Sequence, residues 1–316
     1  MDYMNNKFDC IVVGAGHAGC EAALASARLG LKTLLCSLNM DNIALMPCNP
    51  AIGGPAKSTL VREIDALGGQ MGIAADATYL QMKTLNMSKG PAVRALRAQS
   101  DKKEYTQFMR NVIQNTDNIF LKQCCISQLL TKDDKIVGAI DEYGITYSSP
   151  VIILTTGTSL EAKIWVGLNS YPAGRLGEMP ARGLSKSLID LGFTIKRLKT
   201  GTPQRVDSRT IDYSKMIIQN GDEELSFYSF RPDRPVRKQY PCYLTKTNAK
   251  THEIIKANLD KSPMYSGLIH AIGPRYCPSI EDKIVRFASN PSHHIFVEPE
   301  GLSTYEVYIQ GFSSSL

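Results

Sequence analysis

Three glycines near the N-terminus constrain the fold of this chain more than any other feature. Gly14, Gly16 and Gly19 form a G-x-G-x-x-G pattern that follows the apolar run 8–13 and opens a stretch with Ala and Leu at helical spacing. In that context the first glycine turns the chain sharply, the second lets a pyrophosphate approach the backbone, and the third lets helix and strand pack closely. Free amides at the helix start then bind the phosphates. The pattern predicts a dinucleotide-binding loop.

The residues around this loop favour FAD as the dinucleotide. The acid that usually contacts the ribose about 20 residues further on is missing, so we expect Ser37, Asn39 or backbone groups to take its place. Thr156 and Gly157 follow the apolar run 151–154 and resemble the second flavoprotein signature, in which a strand ends in small residues beside the cofactor. We therefore expect FAD rather than NAD at the glycine loop.

Periodicity predicts alternating strands and helices up to about residue 200. The expected strands are 8–13, 32–36, 119–130 and 151–154, with a hairpin over 135–146, and the expected helices are 17–30, 58–67 and 101–114. Residues 49–54, NPAIGG, carry too much Pro and Gly for regular structure, and Ser58 is expected to cap the following helix. Ser279, with an acid three positions later, predicts a further helix start.

This order of elements predicts an α/β protein with a Rossmann-like FAD-binding domain and a smaller inserted α/β domain. We expect the first part of the FAD-binding domain over 1–200, an inserted domain over 201–280, and a return toward the FAD-binding domain over 281–316. Residues 226–242 combine prolines and basic residues without clear periodicity. They are expected to form an exposed basic loop in the inserted domain.

Two of the eight cysteines stand in positions that suit reactive thiols. Cys48 lies in the irregular loop CNPAIGG, and Cys277 directly precedes a predicted helix, where the dipole, free amides and Arg275 would favour a thiolate. An incidental or buried cysteine remains an equal alternative at each position. The other six are expected to be small buried hydrophobes. The histidines and cysteines lack metal-ligand spacing, so no metal site is predicted.

The net charge of +6 suits a polyanionic partner without demonstrating one. Two basic clusters are either solvated faces or phosphate contacts, and they comprise Lys89, Arg94 and Arg97, and Lys196, Arg197, Lys199 and Arg205. No apolar run approaches the roughly 20 residues of a membrane span, and the N-terminus lacks signal-peptide features. The sequence predicts a cytoplasmic protein that does not enter a membrane.

Taken together, several long motifs closely resemble the MnmG/GidA family. They are GAGHAGCEAA, CNPAIGG, EIDALGG, NMSKGPAVRALRAQ, RLKTGTPQR, TNAKTH, SPMYSG and GPRYCPSIEDK, and they cover essentially the whole chain. The resemblance implies a glutathione-reductase-like FAD fold and an enzyme that modifies carbon 5 of uridine 34 in the anticodon loop of transfer RNA. It also implies NADH as reductant, methylene-tetrahydrofolate as one-carbon donor, an MnmE-type GTPase partner and a homodimer within a heterotetramer.

The same resemblance implies roles for individual residues. The FAD phosphate loop would comprise Gly14, Ala15, Gly16, His17, Ala18 and Gly19, with Ile126 near the adenine. A stretch assigned to NAD would run from Gly273 to Phe287 and include Gly273, Pro274, Arg275, Tyr276, Ser279, Glu281, Asp282 and Lys283. Cys48 and Cys277 match the two catalytic cysteines. The family continues with the rest of the FAD domain and a helical C-terminal region, so the resemblance also implies that this chain is truncated.

Our hypothesis is that one thiolate adds to carbon 6 of uracil and makes carbon 5 nucleophilic. We favour Cys277 for the addition and Cys48 for proton transfer, although the roles are exchangeable on sequence alone. One alternative is an FAD-dependent and NAD-dependent disulfide oxidoreductase, whose redox cysteines usually lie close together in sequence. The other is a catalytically incomplete fragment that binds nucleotide or RNA.

Overall fold

The structure, a computed structural model, describes residues 6–271, 273 and 277–316. Its strands are β1 (Cys10–Val13), β2 (Thr33–Ser37), β3 (Ala51–Gly53), β4 (Tyr79–Leu85), β5 (Ala95–Ser100), β6 (Ile119–Gln123), β7 (Ile126–Lys132), β8 (Lys135–Asp141), β9 (Thr146–Ser148), β10 (Ile152–Leu154), β11 (Lys163–Val166), β12 (Asn169–Pro172), β13 (Arg205–Asp207), β14 (Ile217–Gln219), β15 (Cys242–Lys246), β16 (His294–Pro299) and β17 (Glu306–Gln310). Its helices are α1 (His17–Arg28), α2 (Lys57–Ala66), α3 (Met71–Thr78), α4 (Lys102–Gln114), α5 (Leu184–Asp190), α6 (Ala249–Ala257) and α7 (Ile280–Arg286).

A parallel sheet of order β10-β1-β2-β6 carries the glycine loop at the carboxyl end of β1. Helix α1 connects β1 to β2, which completes the predicted βαβ unit. The side chains of β1 alternate between two cores: Val12 packs with Cys20 and Tyr105 on the α1 and α4 side, while Ile11 packs with Tyr147 on the other side. The predicted α/β class with a Rossmann-like sheet is confirmed.

Two small antiparallel sheets extend this domain. Strands β3, β5 and β4 form one sheet, and β7, β8 and β9 form the other, which covers the second face of the parallel sheet. The predicted hairpin at 135–146 is confirmed as β8 and β9. The predicted strand over 119–130 is wrong in one respect, because it breaks at Cys124 and Cys125 into β6 and β7, which belong to different sheets.

A five-stranded antiparallel sheet of order β13-β17-β16-β15-β14 forms the second unit. Helices α6 and α7 pack together beside it through Ile255, Ile280 and Ile284. Strands β13 to β15 come from the range 201–280, whereas β16 and β17 come from 281–316, so strand pairing crosses the boundary expected at residue 280. The division of the chain into three parts stays a prediction.

Two local predictions around the NPAIGG segment are wrong. Ala51–Gly53 forms β3 and pairs with β5. Gly53 and Gly54 both have positive φ angles, and the chain turns at these two glycines after β3. Ser58 lies inside α2 and does not cap it; the N-cap is Ala56, with φ of 61° and no side-chain hydrogen bond. In contrast, Ser279 caps α7 as predicted, and its side chain and that of Asp282 form a capping box.

The segment 226–242 is only partly the exposed basic loop that its composition predicts. Val236 is exposed, but Tyr228 is fully buried in the core of the first domain. Its phenol oxygen lies 2.9 Å from the carbonyl oxygen of Ile52 and 2.6 Å from that of Leu96. An aromatic anchor therefore fixes this segment to β3 and β5.

Candidate functional site

The glycine loop has the geometry of a phosphate-binding turn. Gly14 has a φ of +103°, and a Cβ there would lie 2.5 Å from the carbonyl oxygen of Thr155. Gly16 is the N-cap of α1, and no side chain caps the helix and no acid lies in its first turn. A Cβ on Gly16 would meet nothing within 4 Å. The open glycine and the uncapped helix start fit the pyrophosphate of FAD.

Thr155, which directly follows the neighbouring strand β10, holds this loop by hydrogen bonds. Its backbone N–H and its hydroxyl donate to the carbonyl of Val13 at 2.9 and 3.0 Å, and the hydroxyl also lies 2.9 Å from the carbonyl oxygen of Gly14. Thr156 and Gly157 follow it at the same sheet edge, and Gly157 is exposed with a φ of +57°. The small residues that resemble the second flavoprotein signature thus lie next to the glycine loop, as a shared cofactor site requires.

The other residues predicted to contact FAD lie at the ends of β1, β2 and β7. Within the phosphate loop, Ala15 is buried, Ala18 is exposed, and His17 packs edge-on against Tyr105 with ring centroids 5.7 Å apart. Burial lowers the pKa of His17, so the ring is neutral, and its Nδ1 has no hydrogen-bond partner among the described residues.

On the adenosine side, Ser37 and Asn39 are engaged in local hydrogen bonds. The Ser37 hydroxyl donates to the carbonyl of Asn39 at 2.9 Å, and the Asn39 side chain accepts from Asp41 N at 2.8 Å. Ile126 is buried at the start of β7. A ribose contact from Ser37 or Asn39 stays a prediction, and it would have to share these local bonds.

The structure brings Cys48 and Cys277 to the same backbone carbonyl. The two sulfur atoms lie 3.8 and 3.7 Å from the Gly201 oxygen, and both side chains are only partly buried. Burial raises the pKa of the Cys48 thiol, although hydrogen bonding from Tyr308 and the charge of Arg205 oppose that rise. Two thiols that are far apart in the sequence therefore share one small site.

The Cys48 loop, defined as residues 46–50, is held by the antiparallel sheet of the second unit. Arg205 Nη2 donates to the carbonyls of Pro47 and Cys48 at 3.0 and 2.9 Å. Arg205 Nε donates to the buried carboxylate of Glu300 at 2.8 Å, and Lys102 binds the other oxygen of that carboxylate at 3.3 Å. A buried ionic network thus positions the loop.

A short segment links the Cys48 loop to the glycine loop. Ala44 N donates to the carbonyl of Ala15 at 2.8 Å, and only a few residues later the chain reaches Cys48. The amides of Asn49 and Gln310 lie 3.0 Å apart at the far side of the loop. The Cys48 loop therefore follows in sequence from a segment that is hydrogen-bonded to the glycine loop.

The start of α7 is occupied by its own capping box. Ser279 Oγ accepts from Asp282 N at 3.1 Å, and Asp282 Oδ2 accepts from Ser279 N at 3.2 Å. Cys277 precedes this cap and contacts Gly201 instead. The helix start is therefore not a free anion site for the Cys277 thiolate, and Arg275, which was expected to add positive charge, lies outside the described residues.

The stretch assigned to NAD by resemblance is largely engaged within the protein. Glu281 is fully buried and accepts from Ser314 Oγ and Ser315 N at 2.6 and 3.1 Å. Asp282 pairs with Lys199 at 3.3 Å, and Lys283 donates to the carbonyl of Gly311 at 2.8 Å. Gly273 is exposed, whereas Pro274, Arg275 and Tyr276 lie outside the described residues. Contact with NAD stays a prediction.

The basic clusters divide into exposed and internally paired residues. Lys89, Arg94 and Lys196 are exposed. Arg97 pairs with buried Glu298 at 2.7 Å; together with Lys199 and Arg205, it stabilises the interior. Only the exposed members are placed to meet an RNA phosphate without giving up a buried partner.

The remaining cysteines, at 10, 20, 36, 124, 125 and 242, are all buried, as expected for small hydrophobes. Over the described ranges, no set of three or more His, Cys, Asp or Glu residues is arranged to hold a metal ion. No helix in the same ranges is long and apolar enough to cross a membrane.

Sequence reasoning missed Tyr308 and Gly201 as members of the thiol site. Tyr308 lies in the short strand β17, whose residues offer no local signal of function. Gly201 and Arg205 lie in RLKTGTPQR, which was noted as a family motif and a basic cluster. The motif marks this segment, but its positive charge alone does not distinguish a solvated face or a phosphate contact from an ion pair with Glu300.

Comparison with known proteins shows which family this chain resembles. A family model described as "Glucose inhibited division protein A" matches residues 9–316. A Synechocystis sp. protein named "tRNA uridine 5-carboxymethylaminomethyl modification enzyme MnmG" is 56% identical over 313 residues, which are 98% of this chain and 49% of that protein. A Heliobacterium modesticaldum protein of the same name is 53% identical over 315 residues, covering 100% of this chain and 50% of that protein.

The solved structure of Aquifex aeolicus GidA in its form I crystal superposes with a TM-score of 0.93 at 48% identity. The match covers 98% of this chain and 53% of that one. The chain thus spans about half the length of the relatives that it matches. The motifs and the fold agree with these matches, and the chain belongs to the GidA family.

Proposed function

We propose that this chain binds FAD at the Gly14–Gly19 loop and takes part in the modification of carbon 5 of uridine 34 in transfer RNA. Relatives that are more than half identical carry the name of a tRNA uridine modification enzyme. The observation that carries the proposal is the convergence of Cys48 and Cys277 on the Gly201 carbonyl, in a chain whose first helix also begins at an uncapped glycine.

The glycine loop and its neighbours would hold the cofactor. The amides at the start of α1 would bind the pyrophosphate; Ser37, Asn39 and Ile126 would lie on the adenosine side, and Thr156 and Gly157 near the flavin. FAD, with NADH as reductant, would supply redox chemistry for the one-carbon unit delivered by methylene-tetrahydrofolate. We assign the protein's own contribution to the two thiols and the groups around them.

Carbon 5 of uracil is a weak nucleophile until carbon 6 carries a bond to a thiolate. In our proposal the Cys277 thiolate adds to carbon 6, and the electron pair of the C5–C6 double bond becomes an enolate. Carbon 5 then forms a bond to the methylene carbon, and an electron pair of the bond between that carbon and the donor's nitrogen moves onto the nitrogen. Loss of the carbon 5 proton and cleavage of the sulfur–carbon 6 bond restore the double bond and release the thiolate.

Cys48 suits the proton-transfer role in this scheme. Burial raises the pKa of its thiol, so it holds a proton at neutral pH, unlike a resident thiolate. Both sulfurs contact Gly201, so Cys48 lies close to Cys277 and would reach the same uracil ring. Its proton can pass to oxygen 4 of the enolate, which returns a proton to solvent when carbon 5 attacks the methylene carbon, and the Cys48 thiolate left behind then accepts the carbon 5 proton.

The substrate, the partners and the cellular location belong to the same proposal. The target would be the anticodon loop, whose bases leave their stack at low cost. The resemblance supports an MnmE-type GTPase partner, a homodimer within a heterotetramer and a cytoplasmic location. Because the chain spans about half the length of its relatives, activity of the whole assembly is proposed of the family's complete architecture.

The test uses bacterial cells that lack their own GidA-family protein. This chain, Cys48→Ser, Cys277→Ser and the buried control Cys242→Ser would each be expressed as the N-terminal part of a full-length GidA-family protein, and modified wobble uridine would be measured in the transfer RNA. We expect the chain and the control to restore the modification and both site variants to lose it. Restoration by both site variants, or by none of the four proteins, would contradict the proposal for this chain.

The same thiol geometry favours one alternative, a flavin-dependent disulfide oxidoreductase. Two sulfurs that share a carbonyl contact are close enough in space to act as a redox pair, despite their separation in sequence. Reduction of a disulfide substrate such as 5,5′-dithiobis(2-nitrobenzoate) with FAD and NADH discriminates the two functions. NADH-dependent turnover that is lost in Cys48→Ser would favour the oxidoreductase.

A further inference from the structure

Tyr308 makes the shortest contact to the Cys48 sulfur. Its phenol oxygen lies 2.9 Å from Cys48 Sγ, and the ring is buried in β17. No motif in the sequence marks this residue, and strand β17 belongs to the antiparallel sheet rather than to the FAD-binding domain. The contact therefore joins the two units of the fold at the sulfur atom itself.

One guanidinium fixes both partners of this contact. The Arg205 guanidinium carbon lies 4.9 Å from the centroid of the Tyr308 ring, while its Nη2 donates to the carbonyl of Cys48. Glu300 fixes Arg205 in turn through a 2.8 Å bond from Nε. The phenol and the sulfur are thus held by the same buried ion pair, which limits how far either can move.

The direction of the hydrogen bond follows from the acceptors present. The Cys48 S–H has an acceptor in the carbonyl of Gly201, which has no proton to donate. The phenol O–H is then the group that donates to Sγ. Burial raises the pKa of Tyr308, so the phenol keeps its proton throughout the neutral range. When Cys48 loses its proton, the phenol still stabilises the sulfur, whereas the Gly201 carbonyl repels it.

We propose that Tyr308 is a positioning residue that holds the Cys48 sulfur by donating a hydrogen bond to it and so favours the thiolate at the moment of proton transfer. This inference rests on the proposed function for its catalytic meaning. The bond changes lie at Cys48 and the uracil: the Cys48 S–H bond breaks, an O–H bond forms at oxygen 4 of the enolate, and the S–H electron pair stays on sulfur. Tyr308 forms and breaks no covalent bond.

The test compares Tyr308→Phe with Tyr305→Phe. Tyr305 is exposed on the approach to the same strand, where Arg209 lies over its ring at 4.3 Å, so the control removes the same hydroxyl group without touching a thiol. The rate of alkylation of Cys48 by iodoacetamide would be measured from pH 7 to 11 by peptide mass spectrometry. Cys277 in the same samples reports whether the site is still folded.

We expect Tyr308→Phe to slow Cys48 alkylation roughly tenfold near pH 8 and to move its midpoint upward, because a hydrogen bond to the charged form is lost. The Cys277 profile and both profiles in Tyr305→Phe should stay unchanged. A Cys48 profile in Tyr308→Phe that superposes on that of the unaltered chain would overturn the inference.

A second variant applies if Tyr308→Phe does not fold. Site-specific replacement of Tyr308 by 3-fluorotyrosine keeps the ring and makes the phenol a stronger donor, so the Cys48 midpoint should move downward, and an unmoved midpoint would overturn the inference. These measurements need neither transfer RNA nor cofactor. If Cys48→Ser still restores the modified uridine in cells, the proposed function fails while the hydrogen bond stands, so the two failures are distinguishable.

Discussion

A Cβ on Gly19 would lie 1.7 Å from the carbonyl oxygen of Gly14. A residue with a Cβ does not fit there unless the turn after β1 opens. At Gly16, by contrast, the surrounding protein leaves the space empty. The two glycines of one motif therefore serve different ends: Gly19 lets the loop close, and Gly16 leaves room for a ligand.

Alanine at the two positions should have separable effects. Gly19→Ala should lower the free energy of unfolding by about 3 kcal/mol through overpacking. Gly16→Ala should change stability by no more than about 1 kcal/mol, yet weaken FAD binding, because its Cβ enters the space of the pyrophosphate. Urea unfolding and quenching of FAD fluorescence measure the two quantities. Equal FAD affinity in Gly16→Ala and the unaltered chain would refute the assignment of the loop.

The phenol of Tyr228 should be worth more to stability than that of an exposed tyrosine. Tyr228→Phe removes the buried hydroxyl that lies against the carbonyls of Ile52 and Leu96, although the Leu96 carbonyl still accepts from Gly54 N, and the loss should cost about 1–3 kcal/mol. Tyr143→Phe, at a side chain that is 76% exposed, should change stability by less than about 0.5 kcal/mol. Urea unfolding of both variants provides the comparison, and equal losses would show that the anchor contributes nothing.

Asp76 should make stability depend on pH in the mildly acidic range. Burial raises its pKa to about 6, even though Tyr228 N and Ser229 N donate to it at 2.9 and 2.7 Å. The folded carboxyl therefore binds a proton more tightly than the unfolded one. The resulting stabilisation is fully present below about pH 4 and is lost as the pH rises through about 6.

Asp76→Asn isolates this effect, because an amide does not titrate. The free energy of unfolding of the unaltered chain minus that of Asp76→Asn should fall by about 1–3 kcal/mol between pH 4 and pH 7. Measuring the difference cancels the titration of groups common to both proteins. A difference that stays constant or rises over this range would contradict the raised pKa.

The exposed basic residues should govern the salt dependence of RNA binding. If Lys89 and Arg94 contact phosphates, replacing both by alanine should reduce the slope of log affinity against log salt by about 1 to 2. Lys132 and Lys135, exposed in the hairpin of β7 and β8, supply a control with the same loss of charge. Fluorescence anisotropy with labelled transfer RNA gives both slopes. Identical slopes for the two double variants would leave Lys89 and Arg94 as a solvated face.

The parts of the fold that follow local periodicity could be predicted from the sequence. The βαβ unit, helix α4 and the capping box of Ser279 all depend on neighbours within a few residues. Strand β3 could not be predicted, since Ala51–Gly53 pairs with β5 only after a long excursion of the chain. Tyr228 likewise lies in a segment whose composition indicates a loop, and tertiary packing overrides that tendency.

The candidate site divides in the same way. The glycine loop has a local signature, and the structure places it where that signature predicts. The thiol pair required the family resemblance, because no spacing rule connects Cys48 with Cys277. Arg205 shows the limit most clearly: its charge leaves a solvated face and a phosphate contact open, whereas the folded protein uses it to hold a carboxylate and two carbonyls.

The loop at Cys48 is held by residues that lie far downstream of it in the sequence. Tyr308 follows Cys48 by 260 positions, and Gln310 follows Asn49 by 261. Contacts of such separation carry a large loop-closure entropy and form slowly. During synthesis, Cys48 must therefore leave the ribosome long before the strand that restrains it exists. The sulfur remains open to solvent oxidants and alkylating reagents until that strand has emerged, so its reactivity reports when β17 packs against the Cys48 loop.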